Sequence, residues 1–372
     1  MAGAPAEPHR RCGVKETTDL FVRKPGIAGR KIRFALVGCG RISANHFDAL
    51  AAHAADAELV GVADIDPAAL ERATGRTGAP GFLSLEALLL GADPDLVILA
   101  TPSGLHAQQA IRVAESGRHV MTEKPMATRW QDGKAMVQAC DEAGVHLFVV
   151  KQNRRNPTLQ LLKRAVDAKR FGKICMVTVN VFWSRPQAYY DSAAWRGTWE
   201  FDGGAFMNQA SHYVDMLDWL IGPVESVQAY TATLVRNIEV EDTGVLALRW
   251  RAGTLGSLNV TMLTYPKNLE GSITVLGEKG TARVGGMAVN KIEHWEFEGK
   301  DPMDEEVERA SYDTTSVYGH GHPRYYQNVI QTLRGTAAPD TDGREGLHSL
   351  EILIATYLSA RDGRRVALPL EY

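Results

Sequence analysis

The 372-residue chain has only four cysteines, Cys12, Cys39, Cys140 and Cys175, and none belongs to a C-x-x-C pair or a cysteine/histidine cluster. That spacing excludes a structural zinc site and a disulfide framework, and it suits a reducing, cytoplasmic setting. No stretch approaches the roughly 20 consecutive apolar residues of a membrane span. There is no excess of positive charge either. With a formal net charge of -3 the chain lacks the electrostatic footprint of a nucleic-acid binder. The basic N-terminus is followed by no apolar run, so a signal peptide is not expected. Residues 1–30 are expected to be a disordered extension. No internal repeat or low-complexity tract occurs beyond that segment. What the chain does have is apolar residues, 45% of the total, enough for the cores of two domains.

From Lys31 to about residue 151, short apolar runs alternate with helix-length segments: "IRFALVG", "ELVGVAD", "DLVILAT", "HVMTEKP" and "HLFVV" read as strands. Near-continuous apolar strands between helices imply a parallel sheet covered on both faces, an α/β Rossmann domain. After about residue 172 the strands alternate with period two, as in "VESVQAYTATL", "TGVLALRW" and "GSLNVTML". Residues 152–372 are therefore expected to form an α+β domain with a large, mostly antiparallel open sheet. The apolar alternation of "GSLNVTML" is compatible with association through that sheet.

"LVGCGRIS" ends the first strand and opens a helix. Gly38 permits the tight turn, Gly40 lets the backbone approach a pyrophosphate, and Ser43 takes the small third position of a G-x-G-x-x-G pattern. The second strand ends in Asp64, 26 positions after Gly38. An acid there accepts both ribose hydroxyls and repels a 2′-phosphate, so NAD is preferred over NADP. Taken alone, Asp64 also fits as a turn residue before Pro67. Two more candidate segments close strands at the ligand-binding end of the sheet: "ATPSGLHAQQA", with Thr101, Pro102 and His106, and "MTEKPMA", with Glu123 and Lys124.

In "DGGAFMNQASHYVDMLDWL", a helical stripe of Phe206, Met207, Ala210, Val214, Leu217 and Ile221 leaves Asn208, His212 and Asp215 together on a second face. The glycine turn, Glu123-Lys124-Pro125 and Gly203-Gly204…His212-x-x-Asp215 together resemble the glucose–fructose oxidoreductase/inositol dehydrogenase (Gfo/Idh/MocA) family, across everything from Lys31 onward. The resemblance implies that Lys124 and His212 flank the carbon that exchanges hydride with a nicotinamide. Oxidising a secondary alcohol releases a proton, so a base must lie within hydrogen-bond reach of the hydroxyl. His212 suits that role, Lys124 would stabilise the alkoxide or relay its proton, and Asp215 could orient the imidazole; which of Lys124 and His212 is the base stays open. The resemblance adds Arg41, Ile42 and Gln152 to the cofactor-binding set. Many relatives carry aspartate where this chain has Asn208. An amide is no general base, so Asn208 is expected to hydrogen-bond substrate or nicotinamide.

The segments "VKQNRRNPT" and "VFWSRPQAYYDSAAWRGTWEFDGG", with "RNIEVEDTG", further resemble one subgroup, the UDP-N-acetyl-2-amino-2-deoxyglucuronate 3-dehydrogenases. This implies a UDP-linked uronic acid substrate oxidised at C3′, on a route to bacterial surface polysaccharides. Such a substrate wants planar, permanently charged groups, and Arg154, Arg155, Arg185 and Arg196 fall in these segments. Arg196, Arg185, Arg154, Tyr190 and Asn208 are the substrate-binding candidates; Tyr189, Trp195 and Trp199 could stack on uracil or a sugar face. Each arginine or aromatic would equally fit simple packing at a domain junction. Oxidation of inositol or a free aldose, and a non-catalytic NAD sensor, stay open as alternatives. His320 and His322 lack a carboxylate partner and read as a loop, a candidate lid, rather than a metal site; no metal is expected. The family resemblance implies a homo-oligomer, dimer or tetramer.

Overall fold

The computed structural model describes residues 23–314, 319 and 321–371. Six parallel strands, β1 (Ile32–Val37), β2 (Ala57–Ala63), β3 (Gly81–Phe82), β4 (Leu96–Leu99), β5 (His119–Thr122) and β6 (Leu147–Val149), form a sheet in the order 3-2-1-4-5-6. Helices α1 (Ser43–Ala52), α2 (Pro67–Thr77), α3 (Leu85–Gly91), α4 (His106–Glu115) and α5 (Trp130–Glu142) connect them. β4, β5 and β6 are buried at every position, which is why their apolar runs are unbroken. The order reverses between β1 and β4, and a crevice opens at the carboxyl ends of those strands, the ligand-binding place in open α/β sheets.

The second sheet has eight strands in the order β13-β12-β11-β7-β10-β9-β8-β14. They are β7 (Ile174–Phe182), β8 (Val224–Ala232), β9 (Thr243–Trp250), β10 (Leu255–Thr261), β11 (Glu270–Gly277), β12 (Gly280–Gly285), β13 (Lys291–Phe297) and β14 (Val366–Ala367). Only β7 and β10 pair in parallel; the other pairings are antiparallel. One face packs on helices, α6 (Pro157–Asp167) and α8 (Ser211–Ile221) among them, and the other is open. The apolar residues of "GSLNVTML" point inward: Leu258, Val260 and Met262 are buried, while Ser257, Asn259 and Thr261 occupy the open face. That face is mixed, with Met176, Tyr230, Val245 and Leu255 exposed along it.

Part of the chain beyond residue 152 packs back on the first sheet. After the short helices α7 (Gln187–Asp191) and α9 (Val307–Ala310), helix α10 (Gly321–Leu333) returns to the Rossmann sheet. Its Tyr325, Tyr326, Val329, Ile330 and Leu333 share a core with Ile32, Phe34 and Leu36. Helix α11 (Gly343–Asp362) lies across both halves, reaching Lys151 Nζ through Ser349 at 2.7 Å and the Ala229 amide through Ser359 at 3.0 Å. Residues 23–30, expected within a disordered extension, are tied down as well. Lys24 N donates to Gly144 O, Ile27 N to Leu333 O, and Arg30 grips Asp95 with both nitrogens. The rest of that extension lies outside the described residues, as does His320. His322 sits in the first turn of α10, buried, and not in a loop.

Candidate active site

The helix expected over the Asp202–Leu220 segment is broken. A π-helical turn, Ala205–Gln209, precedes α8, with Ala210 N bonded to Ala205 O at 2.8 Å. The reason lies in its N-terminal amides. Phe206 N donates to Glu241 Oε1 (2.9 Å), Ala205 N to Glu241 O (3.0 Å), and Gly204 N and Met207 N to Tyr357 Oη. Gly204 must be glycine, because a Cβ there would lie 1.7 Å from the Glu241 carboxylate. Consequently Asn208 is not one α-turn before His212, and the polar face is not solvated: His212 and Asp215 are both buried.

Lys124 follows β5 and reaches the carbonyl of Asn208 through Nζ at 3.0 Å. Burial pushes this lysine below its ordinary range, while the nearby carboxylates of Glu123 and Asp202 pull the other way. His212 is held well below the usual imidazole range, first by burial and then by the charge of Lys124. It is therefore neutral near pH 7 and able to accept a proton. Its Nε2 lies 3.3 Å from the side-chain amide of Gln152, which stands behind it. Lys124, His212 and Asn208 all line one cleft of about 1250 Å³. Single small-molecule sites run to roughly 300–1,000 Å³, so this cleft has room for more than one ligand.

The other end of the cleft is built for a dinucleotide. Gly38 has φ +97°, and a Cβ there would lie 2.6 Å from the Ala100 carbonyl, so only glycine lets the turn after β1 approach β4 so closely. A Cβ on Gly40 would meet only open space, the cradle a pyrophosphate needs. Ile42, at the N-cap of α1, offers its free amides no side-chain cap. Asp64 is locked at the end of β2, with Oδ2 accepting from Cys39 N (2.7 Å) and Oδ1 from Asp66 N (2.8 Å). Gly40, Arg41, Ile42, Asp64, Thr101, Pro102, His106 and Glu123 all border the cleft. His106 braces its neighbours, with Nδ1 2.9 Å from Pro125 O and Nε2 2.9 Å from Thr101 O. Burial alone would raise Glu123, but His322 and His46 hold it well below the carboxylate range. These residues fit NAD.

A wall of guanidinium and aromatic groups also lines the cleft. Arg196 stacks 4.4 Å from both the Tyr189 and Trp195 rings and donates to Tyr189 Oη at 2.7 Å; its Nε is buried with no partner among the described residues. Arg185 lies over Trp183 and Tyr189 at 5.1 and 5.4 Å. Other candidates from the sequence fall elsewhere. Arg154 is turned away from the cleft, its guanidinium held by Asp215 (2.8 and 2.7 Å) and Glu345 (2.9 Å). Arg155 pairs with Asp340. Tyr190 is buried against Gly197 and Tyr189, and Tyr189 faces the cleft in its place. Trp199 meets Tyr357 edge to face, away from the cleft. Asp215, spent on Arg154 and Lys151, does not orient the imidazole. Asp202 and Asn268 are among the cleft residues that escaped the sequence reading. Asp202 carried a signal, an acid abutting the Gly-Gly entry; Asn268 carried none, since only the pairing of β7 with β11 brings it beside Ser184 and Arg185.

Among the described residues no group of three or more His, Cys, Asp or Glu could hold a metal ion, and no helix is long and apolar enough to cross a membrane.

A Rossmann domain with this glycine turn and an acid after β2, joined to a sheet domain that brings a histidine and a lysine to one cleft, defines an NAD-dependent oxidoreductase. The chain belongs to the Gfo/Idh/MocA oxidoreductase family: residues 32–151 match its NAD-binding Rossmann fold and residues 163–368 its C-terminal alpha/beta domain. It is 71% identical to the WlbA dehydrogenase of Chromobacterium violaceum, solved with NADH and UDP-GlcNAcA. The TM-score is 0.90, over 94% of this chain and 99% of that one. The WlbA dehydrogenase of Bordetella pertussis, solved with the same two molecules, is 68% identical, with a TM-score of 0.91 over 93% and 100%. A curated relative, D-apiose dehydrogenase of Paraburkholderia graminis, is 27% identical over 91% of this chain and 90% of its own.

Proposed function

We propose that this enzyme oxidises the C3′ hydroxyl of UDP-N-acetylglucosaminuronic acid to the 3-keto sugar, in the cytoplasmic synthesis of a bacterial surface polysaccharide. The observation that carries this reading is the similarity, along nearly the whole chain, to two WlbA dehydrogenases held with NADH and UDP-GlcNAcA. The arginine-aromatic wall supports it independently. Arg196 and Arg185 offer planar cations to a diphosphate or uronate, and Tyr189 and Trp195 offer faces to a ring. Bound NAD supplies the hydride acceptor. His212 takes the hydroxyl proton, and the Lys124 ammonium stabilises the oxygen as it becomes a ketone. The mixed open face of the second sheet is the surface through which copies of the chain associate.

The test mixes purified enzyme, UDP-N-acetylglucosaminuronic acid and excess NAD and follows NADH absorbance. Continuous growth supports the reading with free cofactor release. A rise that stops at the enzyme concentration supports the substrate and shows trapped NADH. No signal from an enzyme that demonstrably binds NAD, with activity on inositol or a free aldose, overturns it. Light scattering of the same preparation reads the oligomer, and a monomer would remove the association.

A further inference from the structure

Asp202 is 2% exposed and borders the cleft beside Lys124, Asn208 and His212. Its Oδ2 accepts from Gly197 N at 2.8 Å, and its Oδ1 accepts from Nδ2 of Asn208. Both partners are donors, so the carboxylate serves here only as an acceptor. Burial pushes its carboxyl up, while these two donors and the charges of Arg196 and Lys124 pull it back. The Asn208 amide therefore has one orientation. Its NH2 group is turned to Asp202, and its Oδ1, to which no described residue donates, is turned away from Asp202. The backbone carbonyl of the same residue holds Lys124 Nζ, so one residue fixes both the lysine and a neutral acceptor at the reacting end.

We infer that Asp202 is a positioning residue: it orients Asn208 so that Oδ1 accepts a hydrogen bond from a hydroxyl or amide N–H on the substrate beside the reacting carbon. The inference rests on the proposed sugar-oxidising reading for its catalytic half and on geometry alone for the pairing. A neutral acceptor holds such a donor without competing for the proton that must reach the base. A carboxylate at position 208 would instead face the Asp202 carboxylate at hydrogen-bonding distance, and one of the two would have to keep a proton.

A reciprocal exchange tests both halves. Asn208→Asp is expected to melt several degrees below wild type at pH 8, and the deficit should shrink toward acid pH as the carboxylate pair shares a proton. Asp202→Asn should fold like wild type. The amide oxygen it introduces can still accept from Gly197 N, but its NH2 group then requires the Asn208 amide to flip and present NH2 to the cleft. The KM for UDP-N-acetylglucosaminuronic acid should rise at least about tenfold, the worth of one lost hydrogen bond, with the KM for NAD unchanged. The double exchange, Asp202→Asn with Asn208→Asp, restores the pair in reverse and should recover both melting temperature and substrate KM. A flat melting-temperature profile for Asn208→Asp overturns the pairing. An unchanged substrate KM in Asp202→Asn, or a double exchange whose substrate KM stays as high as that of Asp202→Asn, overturns the orienting role. If wild type ignores the UDP-sugar, the functional reading fails, while the melting series still decides the pairing.

Discussion

Replacing Asp215 with Asn should cost this protein stability before it costs chemistry. Asp215 is 2% exposed and receives Arg154 Nε at 2.8 Å and Nη2 at 2.7 Å, with Lys151 Nζ at 3.4 Å. Burial alone would raise its carboxyl, but the two cations hold it at about 2 against an ordinary 3.8. That difference is worth about 2–3 kcal/mol at 1.36 kcal/mol per unit. The bidentate arginine carries most of it. Lys151, farther away, is itself pushed below its ordinary range by burial even though Asp215 raises it. Removing the charge leaves Arg154 with Glu345 alone and Lys151 with the Ser349 hydroxyl, both cations buried. Breaking such a cluster costs about 3–5 kcal/mol. For a chain of this size that lowers the melting temperature by roughly 4–7 °C. Because the folded carboxyl is depressed, its contribution is complete above the ordinary carboxylate range and is lost as pH falls through about 2. The gap between wild type and Asp215→Asn should thus hold at pH 7 and narrow below about pH 4. Calorimetry reads both. A variant that melts within a degree of wild type yet has lost turnover would contradict this account, and would return Asp215 to the orientation of His212.

Asp64→Ser should admit NADP, raising its kcat/KM by about tenfold or more relative to NAD, because the carboxylate that repels a 2′-phosphate is gone; unchanged discrimination would move cofactor choice to other residues. Lys124→Ala and His212→Ala should each lower kcat by about 10²–10⁴ while NAD affinity measured by fluorescence titration persists, and full turnover by either would remove that residue from the proton path. Burial pushes Glu241 up to about 7 from 4.5, so its proton favours the folded state. That contribution is complete below about pH 4.5 and fades as pH rises through about 7, worth about 3 kcal/mol. Glu241→Gln, which still accepts from Phe206 N, should flatten the melting temperature between those limits, and a slope equal to that of wild type would rule this out.

Local pattern was enough to specify the two-part architecture and the cofactor end of the site. Apolar runs alternating with helices specify a parallel sheet, and Gly38, Gly40 and Asp64 act through backbone geometry at fixed offsets from β1 and β2. Lys124 and His212 stand out as candidates for a similar reason, lying in short motifs at element ends, and the fold brings both to one cleft. The π-turn was not legible, because its amides are held by Glu241 and Tyr357, which lie 35 positions from Phe206 and 150 from Met207. Nor was the return of α10 to the Rossmann core, since its apolar stripe says that it packs and not on which sheet. Charge assignment was the hardest part. Arg154 and Arg185 look alike in sequence, yet one closes a buried cluster with Asp215 while the other stands over Trp183 in the cleft. A guanidinium reaches in any direction from its backbone. Whether it closes a buried cluster or lines the cleft depends on which groups the folded chain brings near it.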